Sequence, residues 1–450
     1  MNAEDITQLY RQKNYALAEK EAKAALRLDP NNVHLLYIYA LIMSAQMQFA
    51  AALGACSRIL KQEPNHAYAL SALVTCCVQL GLPDLAEAHI QQFSQTDSPT
   101  TQSWLAGLYG HLAMYDRAID NQGKVCAAHP DDPYGRYTLG TLQMSAGLVE
   151  EGMRNYQHHA SRNMMRVYRT DMLNNGWDIE KYWEGQSVAG KTILISPMGG
   201  YGDFMQFCRY VKALKDMGAA RVLGLMGNPR IHGLLRSCAD LEVIEHHEGH
   251  EFDFWTDPFG LCAYLQPRYG FMSQDRYLTA PSSDWAHQTV QTIQARAAGK
   301  RCIGISWYSD TADAGTRSVP LATLLPLFGL PDIHWVVMQR GLALDEFRAS
   351  GLDQMCSIVS EDATFDDTAA IVQQLEAVVS IDSYMTHLSA AIGKPVYFMA
   401  SRALDWRHMN NETQSPWYPR TTIVRQPTIG DWRSVVQQLC TLLTSTTPNA

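Results

Sequence analysis

The sequence predicts an α plus α/β protein, with an all-helical solenoid at the amino-terminal end and two α/β domains with doubly wound parallel sheets after it. Three observations support this prediction. A period of 34 residues runs through the first 160 residues, strand-length apolar runs alternate with helical stretches from Lys191 onward, and that alternation restarts near residue 296. We therefore expect helical repeats over residues 1–160, a connector over 161–190, and α/β domains over 191–295 and 296–450.

Three kinds of residue recur through the helical repeat at spacings of 34, 34 and then 32 residues. Small residues recur at Ala18, Ala52, Ala86 and Ala118. An aromatic residue or a proline stands three positions before each, at Tyr15, Phe49, Pro83 and Tyr115, and the twelfth position after each holds Pro30, Pro64, Ser98 and Pro130. A fifth, partial copy contains Val149 and Gly152. The small residue allows two helices to approach closely, and the proline ends the second helix of each unit.

These positions, with Asn-Tyr-Ala-Leu-Ala at 14–18 and Leu-Asp-Pro-Asn at 28–31, resemble the tetratricopeptide repeat. The resemblance implies a superhelix whose concave face holds a protein partner. The alternative is a structural spacer or a dimerisation arm, and self-association through the repeats stays open. After the repeats, Trp177, Tyr182 and Trp183 in the connector are expected to pack the repeat against the following domain, so that the halves form one rigid body.

Apolar runs predict the strands of the α/β half. The first set of predicted strands covers residues 192–196, 221–225 and 241–244, with helices over 204–217 and from 228 onward. The second set covers 302–307, 333–338, 356–359, 377–381 and 396–400, and a helix over 431–443 closes the chain. Two successive domains of this kind imply a cleft between them, because ligands bind beyond the carboxyl ends of the strands.

A glycine-rich loop follows the first strand, with Gly199, Gly200 and Gly202 ahead of Asp203 at the start of a helix. Glycines let the backbone approach a ligand, and the carboxylate can cap the helix or accept a proton from a bound group. A structural turn with an ordinary helix cap is an equally good interpretation of this stretch alone.

A second strand-to-helix junction carries Asp382, Ser383 and His387. The free N–H groups at a helix start favour a diphosphate, and the histidine one turn later can donate to a phosphate oxygen. A lone histidine is more often structural, although this one lies beside an acidic residue at a predicted ligand edge.

The motif Asp382-Ser383-x-x-x-His387-Leu with Gly-Lys-Pro at 393–395 resembles the signature of heptosyltransferase-like glycosyltransferases of the GT-B fold. The loop Gly200-x-Gly202-Asp203-x-x-Gln206 is similar to the Gly-x-Gly-Asp loop of the same group, especially of its bacterial members fused to tetratricopeptide repeats. Further similar stretches lie at 304–307, 317–321, 367–369, 405–407 and 415–419, so the resemblance covers about residues 1–445.

The resemblance implies inverting transfer of a sugar from a nucleotide-sugar to a hydroxyl group, without a bound metal and with no cofactor besides the nucleotide-sugar as co-substrate. Asp203 would be the general base, and the acceptor-side loop would comprise Gly199, Gly200, Gly202 and Gln206. The donor-binding set would comprise Ser306, Arg317, Gln339, Asp382, Ser383, Thr386 and His387. Gln339 stands where the family often has an acidic ribose-binding residue, which leaves the donor undefined.

Two groups of residues have weaker assignments. Trp406, Arg407 and Trp417 form an aromatic and basic patch that can stack a base or sugar, with buried packing as the alternative. Asp253 and Asp257 are too far apart for an Asp-x-Asp metal pair, and we interpret them as loop residues on the acceptor side.

Composition narrows the class of protein. The formal charge of −9 argues against a general nucleic-acid binder. Ten scattered cysteines without a Cys-x-x-Cys pair indicate reduced thiols and argue against a zinc site, and no apolar run reaches membrane-spanning length. The first residues show no secretory signal pattern, so a cytoplasmic protein is expected.

The leading hypothesis is therefore a glycosyltransferase that modifies a protein hydroxyl, with the acceptor recruited by the concave face of the repeats. A bacterial flagellin is an acceptor suggested by the fused architecture alone. Two alternatives stay open: a lipid-linked or polysaccharide glycan as acceptor, or a non-enzymatic scaffold with a degenerate transferase domain.

Overall fold

A helical repeat forms the first part of the chain. In this computed structural model, which describes residues 2–93, 98–169, 176–309, 317–410 and 413–445, the described part of the repeat contains ten helices joined in pairs by short turns. Their bounds are α1 (Ala3–Arg11), α2 (Tyr15–Leu28), α3 (Val33–Ala45), α4 (Phe49–Gln62), α5 (Ala67–Leu80), α6 (Pro83–Phe93), α7 (Pro99–His111), α8 (Tyr115–Ala128), α9 (Pro133–Ser145) and α10 (Val149–Tyr156).

The predicted period is confirmed by these helices. The four alanines of the period are completely buried, and the aromatic or proline positions are the first residues of α2, α4, α6 and α8. Val149 begins α10 in the same way. Ser98, which stands where proline was expected, caps α7 by accepting a hydrogen bond from the N–H of Thr101.

The connector packs as its aromatic residues predict. After α11 (Arg162–Tyr168), Tyr182 and Trp183 are fully buried in the apolar core that also contains Met153 of the repeat. Trp177 packs on Trp255 with 4.8 Å between ring centroids. The connector therefore joins the repeat to the first α/β domain through a shared core.

The first α/β domain is built on a four-stranded parallel sheet in the order β3-β2-β1-β4. Its elements are β1 (Thr192–Ile195), α12 (Tyr201–Phe207), α13 (Val211–Asp216), β2 (Arg221–Leu225), α14 (His232–Arg236), β3 (Leu241–Ile244), β4 (Phe254–Thr256) and α15 (Pro258–Tyr269). The helix predicted over 204–217 is divided into α12 and α13 by a 3-10 turn at Cys208–Tyr210. The sequence prediction omitted β4, whose three residues are too short for a recognisable pattern.

The second α/β domain contains a six-stranded parallel sheet in the order β10-β9-β8-β5-β6-β7. Its elements are α16 (Asp284–Ala297), β5 (Arg301–Ser306), α17 (Leu321–Phe328), β6 (Ile333–Val337), α18 (Leu342–Ala349), β7 (Ser357–Ile358), α19 (Phe365–Gln374), β8 (Ala377–Ser380), α20 (Tyr384–Ala391), β9 (Val396–Ala400), β10 (Thr421–Arg425) and α21 (Trp432–Ser445). Every residue of β6 and β8 is buried, as expected for central strands covered on both faces. Strand β10 was not predicted.

One helix changes the expected domain boundary. The prediction placed the boundary at residue 295, which assigns α16 to the first domain. In the structure α16 packs against α19 and against β5 and β6, all of which belong to the second domain. We therefore place the boundary ahead of residue 284.

The repeat packs on both α/β domains. Helix α10 contacts α15 of the first domain, and α9 contacts a 3-10 turn at Trp406–His408 in the second. The end of α5 also meets the second domain, because a Cβ on Gly430 would lie 2.6 Å from Gly81 Cα. The predicted packing between the halves is thus observed, and their rigidity stays a prediction. In the described ranges, no helix combines the length and apolar character that a membrane span requires.

Candidate functional site

Two strand-to-helix junctions meet at the interface between the α/β domains. Helix α12, which follows β1, packs directly against α20, which follows β8. Contact is closest at Gly202, where a Cβ would lie 2.9 Å from His387 Cδ2 and 3.3 Å from Tyr384 Cα. Only a glycine at position 202 allows the two junctions to approach this closely. The carboxyl ends of the two parallel sheets therefore face one another, as the sequence predicts.

The first junction holds Asp203 from two sides. Gly199 adopts a φ of +90°, a conformation that favours glycine, and turns the loop so that the N–H of Gly200 donates to Asp203 Oδ2 at 2.6 Å. The other carboxylate oxygen, Oδ1, forms an ion pair with Arg407 Nη1. Asp203 is thus a helix cap, and it also reaches the second α/β domain.

Arg407 is the centre of a buried ion-pair group rather than part of a stacking surface. Besides Asp203, it donates through Nε to Asp405 Oδ1 at 2.7 Å and through Nη1 to Gln206 Oε1 at 3.2 Å. Burial works against its charge, but Asp405, Asp203 and Asp382 raise the pKa of Arg407 above its ordinary value. The prediction that Arg407 stacks on a base or sugar is corrected, because its donors face carboxylates across the domain interface.

At the second junction, the residues that were predicted to bind phosphate form hydrogen bonds with nearby groups of the same domain. Ser383 accepts a hydrogen bond from the N–H of Met385 and so caps α20. The hydroxyl of Thr386 donates to the carbonyl of Ile381 at 2.8 Å, and His387 Nδ1 lies 3.0 Å from the hydroxyl of Tyr418.

In the structure, Thr386 and His387 thus make hydrogen bonds within the second domain, and their donor-phosphate role stays a prediction. Both side chains are buried within the second domain, with 0% and 2% exposure. Burial, and then Arg407, lower the pKa of His387 well below its ordinary value, which keeps the ring neutral at pH 7.

Asp382 lies at the same junction and is held by longer contacts. Its Oδ1 is 3.6 Å from His408 Nε2, and its Oδ2 is 3.7 Å from Arg317 Nη1. Burial alone would raise the pKa of this carboxyl, but His408 and Arg407 outweigh burial and hold the pKa well below its ordinary value. Asp382 and Arg317 therefore come together as the prediction of a shared donor site requires.

Gln339 and Ser306 support a loop instead of facing a ligand. Gln339 Oε1 accepts from the N–H groups of Trp307 and Tyr308 at 3.1 and 3.0 Å, and its Nε2 donates to the carbonyls of Tyr308 and Arg340. Ser306 is buried, and its hydroxyl lies 3.5 Å from Gln339 Oε1. The expectation that the amide of Gln339 binds a ribose hydroxyl is corrected, since both ends of the amide already hold backbone groups.

The two tryptophans of the predicted patch have different surroundings. Trp417 is fully buried, donates to the carbonyl of Arg407 at 2.8 Å, and lies beneath the guanidinium of Arg209 at 5.5 Å from ring centroid to Cζ. This geometry is core packing, which corrects the stacking role expected for Trp417. Trp406 packs on Tyr156 of the repeat with 4.8 Å between centroids, and it borders the cavity described below.

The predicted acceptor-side aspartates are structural. Asp257 caps α15 by accepting from the N–H groups of Phe259 and Gly260, and it accepts from the hydroxyl of Tyr182 at 2.7 Å. Asp253 pairs with Lys191 at the opposite end of β1. The acceptor role expected for these two carboxylates is therefore wrong.

A cavity of about 610 Å³ lies where the repeat meets both α/β domains. The α/β residues that line it include Asp203, Phe259, Arg317, Asp382, Trp406 and Arg407. The lining residues from the repeat include Gly107, Gly110, His111, Tyr137, Thr141 and Ser145. Asp203 from the first domain and Asp382 from the second thus line one cavity that the repeat helps to close.

The sequence analysis missed two candidate functional residues, His408 and Tyr137. His408 lies next to the recognised Asp405-Trp406-Arg407 stretch, and its proximity to Asp382 was not visible in the chain. Tyr137 belongs to the repeat, yet it is close enough to Asp405 and Asp203 for these carboxylates to add to the effect of burial, which raises the pKa of Tyr137 to about 12. Its place in the period gave no signal of this role.

Within the ranges that the structure describes, no group of three or more His, Cys, Asp or Glu side chains is arranged to hold a metal ion. The predicted metal independence stays a prediction.

Comparison with known proteins gives distant similarities. No protein-family model matches the chain. The curated Protein FlbA of Caulobacter vibrioides is 22% identical over 391 residues, which cover 74% of this chain and 64% of FlbA. The chain therefore spans less than two thirds of the length of this relative.

Among solved structures, a glycosyl transferase of family 9 from Veillonella parvula DSM 2008 aligns with a TM-score of 0.43 and 10% identity, covering 58% of this chain and 98% of that one. A tetratricopeptide repeat protein from Parabacteroides merdae aligns with a TM-score of 0.31 and 18% identity, covering 38% of this chain and 70% of that one. The crystal structure of MamA aligns with a TM-score of 0.28 and 18% identity, covering 34% and 90%.

Proposed function

We propose that the chain is an inverting glycosyltransferase that moves a sugar from a nucleotide-sugar to a hydroxyl group of a protein. The observation that carries this proposal is the cavity at the facing carboxyl ends of two parallel sheets, with Asp203 on one side and Asp382 with Arg317 on the other. Ligands of doubly wound domains bind at this edge. A cavity of about 610 Å³ suits a small-molecule site.

The proposed reaction is a single displacement. The acceptor oxygen attacks the anomeric carbon, the bond from that carbon to the phosphate oxygen breaks with its electron pair, and the nucleoside diphosphate leaves. Asp203 takes the proton of the acceptor hydroxyl. Arg317 and Arg407 offer positive charge for the leaving diphosphate.

This reaction requires Arg407 to exchange partners. In the structure its guanidinium holds Asp203, Asp405 and Gln206. A carboxylate that is paired with an arginine is a weak proton acceptor, because the ion pair favours the charged form. We propose that an incoming diphosphate draws Arg407 away and so frees Asp203 for the acceptor hydroxyl.

The protein acceptor is proposed from the repeat, since such arrays commonly bind proteins. A flagellin is one acceptor that this fused architecture suggests, and the resemblance supplies no further detail. The proposed donor is a nucleotide-sugar without a bound metal.

A specific observation favours a second candidate function, a scaffold with a degenerate transferase half. Gln339, Thr386 and His387, which the resemblance assigns to the donor, all make internal hydrogen bonds. Such a protein would keep the fold and bind no donor.

Thermal unfolding with a panel of nucleotide-sugars separates the two candidates. A donor that binds only the folded state stabilises it by mass action and so raises the temperature of the unfolding midpoint. At one hundred times its Kd, the donor adds about 2.7 kcal/mol to the free energy of unfolding. NMR of the product formed from the stabilising donor then reports the anomeric configuration, which should be inverted. A midpoint that no nucleotide or nucleotide-sugar moves would contradict the transferase and favour the scaffold.

A further inference from the structure

A second buried arginine joins the two α/β domains. Arg209 lies in the 3-10 turn after α12 and is 2% exposed. Its Nε donates to the carbonyl of Gln206 at 2.7 Å, and its Nη1 donates to the carbonyls of Trp417 at 2.6 Å and Phe271 at 3.3 Å. Its Nη2 donates to the hydroxyl of Tyr277 at 3.0 Å. None of these four acceptors is a carboxylate, so neutral groups hold the charge of this arginine.

Three aromatic rings enclose the same guanidinium. The Cζ of Arg209 lies 4.5 Å from the ring centroid of Tyr418, 4.6 Å from that of Tyr277 and 5.5 Å from that of Trp417. Aromatic faces attract a cation. A cation that is removed from water needs a full set of partners, so a movement that separates these rings and carbonyls is unfavourable.

The partners of Arg209 come from three segments of the chain. Gln206 lies in α12 of the first domain, and Trp417 precedes β10 of the second. Tyr277 belongs to the segment that crosses between the domains, and its N–H donates to the carbonyl of Ala391 at the end of α20 at 3.0 Å. Arg209 therefore fastens the first domain to the crossing segment and to the second domain.

Two residues contact both arginines of the interface. Gln206 accepts from Arg209 through its carbonyl at 2.7 Å and from Arg407 through its Oε1 at 3.2 Å. Trp417 accepts from Arg209 through its carbonyl at 2.6 Å, and its indole Nε1 donates to the carbonyl of Arg407 at 2.8 Å. Arg209 thus fixes the main chain beside Arg407 and one of the groups that the guanidinium of Arg407 binds.

The two arginines differ in what can replace their partners. Arg407 lines the cavity and pairs with carboxylates, and a diphosphate is an anionic acceptor of the same kind. Within the described ranges, the residues that line the cavity do not include Arg209, whose acceptors are carbonyls and a hydroxyl inside the interface. A ligand in the cavity can therefore contact Arg407 but not Arg209.

The two domains are also joined at a second place. Asp366, in α19 of the second domain, accepts from the N–H groups of Gly233 and Leu234 in α14 of the first, at 2.9 and 2.8 Å. The rings of Tyr201 and Phe365 pack across the same interface with 4.7 Å between centroids. An opening of the whole interface would break both sets of contacts.

We infer that Arg209 is a positioning residue that keeps the two α/β domains closed on each other, so that a bound diphosphate displaces the side chain of Arg407 while the domains stay in place. The closed interface follows from the contacts of Arg209, whereas the displacement of Arg407 rests on the proposed function. Asp203 and Arg317, which belong to different domains, keep the same separation before and after the donor binds.

Distances between the domains test this inference in the full-length protein. Ketone-bearing amino acids that carry spin labels replace two exposed residues, Ala239 of the first domain and Glu346 of the second, because the chain contains ten cysteines. Double electron–electron resonance measures the label separation with and without inorganic pyrophosphate, ADP, GDP and UDP. The separation in the wild type should change by less than about 2 Å, the size beyond which a domain rearrangement is recognised.

Variants of Arg209 test its role directly. Arg209→Met removes all four hydrogen bonds, so it should broaden the distance distribution. It should also lower kcat by about tenfold to a hundredfold with the donor found by thermal unfolding, because small misplacements of reacting groups are costly. Stabilisation by that donor should persist. Arg209→Lys keeps the cation and should restore part of the lost kcat, and the control Arg236→Met, at an exposed arginine of α14, should match the wild type.

Two results would overturn the inference. One is a separation in the wild type that shifts when pyrophosphate or a nucleotide binds, and the other is a folded Arg209→Met variant with the wild-type distance distribution. Where Arg209→Met does not fold, Tyr277→Phe replaces it, because it removes one acceptor of Arg209 and should broaden the distribution to a smaller extent. An unchanged distribution in Tyr277→Phe would then count against the inference.

The same measurements separate this inference from the proposed function. If loss of Arg209 broadens the distribution and no nucleotide-sugar binds to the wild type, the glycosyltransferase function fails while the role of Arg209 in closing the interface stands. If a sugar is transferred and the domains move apart or together as its donor binds, the function stands and the role of Arg209 fails.

Discussion

The two junctions that face each other across the domain interface each place an aspartate in the cavity, but they hold it differently. Asp203 is held by hydrogen-bond contacts to Gly200 and Arg407, one on each carboxylate oxygen. Asp382 is more deeply buried, and its contacts to His408 and Arg317 are 3.6 and 3.7 Å long.

The two aspartates therefore differ in what their surroundings determine: the orientation of the side chain for Asp203 and the charge of the carboxylate for Asp382. Short contacts fix Asp203 in one orientation, and the proposed reaction requires Arg407 to move before Asp203 can accept a proton. The lowered pKa of Asp382 favours its carboxylate form at neutral pH. The second junction therefore carries a buried negative charge, and in the proposed function the neighbouring Arg317 and Arg407 would attract the diphosphate.

Removing Arg407 should have the largest effect. Arg407→Met leaves Asp203, Asp405 and Asp382 without their shared cation, and breaking a buried ion pair costs about 3 to 5 kcal/mol. Urea unfolding measures this loss. The control is Arg420→Met at an exposed arginine, which should change stability by less than about 0.5 kcal/mol. A loss below about 1 kcal/mol for Arg407→Met would contradict the ion-pair group.

Replacing Asp203 tests the first junction alone. Asp203→Asn should lower the rate of sugar transfer by about 10² to 10⁴-fold while donor binding persists, because an amide cannot accept the proton. The assay is turnover with the donor found by thermal unfolding. Asp405→Asn is the matched control, since Asp405 pairs with the same arginine and should keep most activity. Equal losses in both variants would indicate that only the ion pair matters.

Thr386 tests the second junction. Thr386→Val removes the hydroxyl that donates to the carbonyl of Ile381 and should destabilise the fold by up to about 1.5 kcal/mol, because one buried hydrogen bond is lost while the hydroxyl of Ser380, 3.2 Å from the same oxygen, still donates. Thr386→Ser keeps the hydroxyl and should retain the hydrogen bond. Denaturant unfolding and donor titration are measured on both variants. A valine variant with normal stability and weakened donor binding would restore Thr386 as a phosphate ligand.

The pH dependence of stability gives the smallest expected effect. The folded-state pKa of His387 is lowered, so the unfolded chain binds a proton as pH falls through about 6.5 while the folded chain does not. Stability should therefore be full above pH 6.5 and fall by about 1 kcal/mol toward pH 5.5 from this histidine alone. His387 faces Arg407, Asp382, His408 and Tyr418.

Urea unfolding at several pH values measures this slope. His387→Gln should reduce the slope between pH 7.5 and 5.5 and leave the remainder to other buried histidines such as His159 and His334, whose pKa values burial also lowers. An unchanged slope in the variant would show that His387 already titrates normally in the folded state.

The sequence determined the architecture because its signals are local and periodic. The period that passes through Ala18 and Ala52 requires a small residue wherever two helices touch, and the apolar runs of parallel strands are continuous because both sheet faces are covered. Similarly, the junctions after β1 and β8 were found from their glycine, aspartate and helix-start residues. The rule that ligands bind beyond the carboxyl ends of strands predicted a cleft between the two domains, whereas the direct contact of the junctions at Gly202 is visible only in the structure.

Only the tertiary structure decided what each polar side chain does. Gln339, Thr386 and Arg407 have the residue types that a donor site needs, but their hydrogen bonds go to a loop, a strand end and a group of carboxylates. Tyr137 comes from the repeat, where the sequence assigned it no role, and it lies against the cavity. A residue type specifies which bonds a side chain can make, whereas its partners come from distant parts of the chain, and these are fixed only when the repeat and the two sheets pack together.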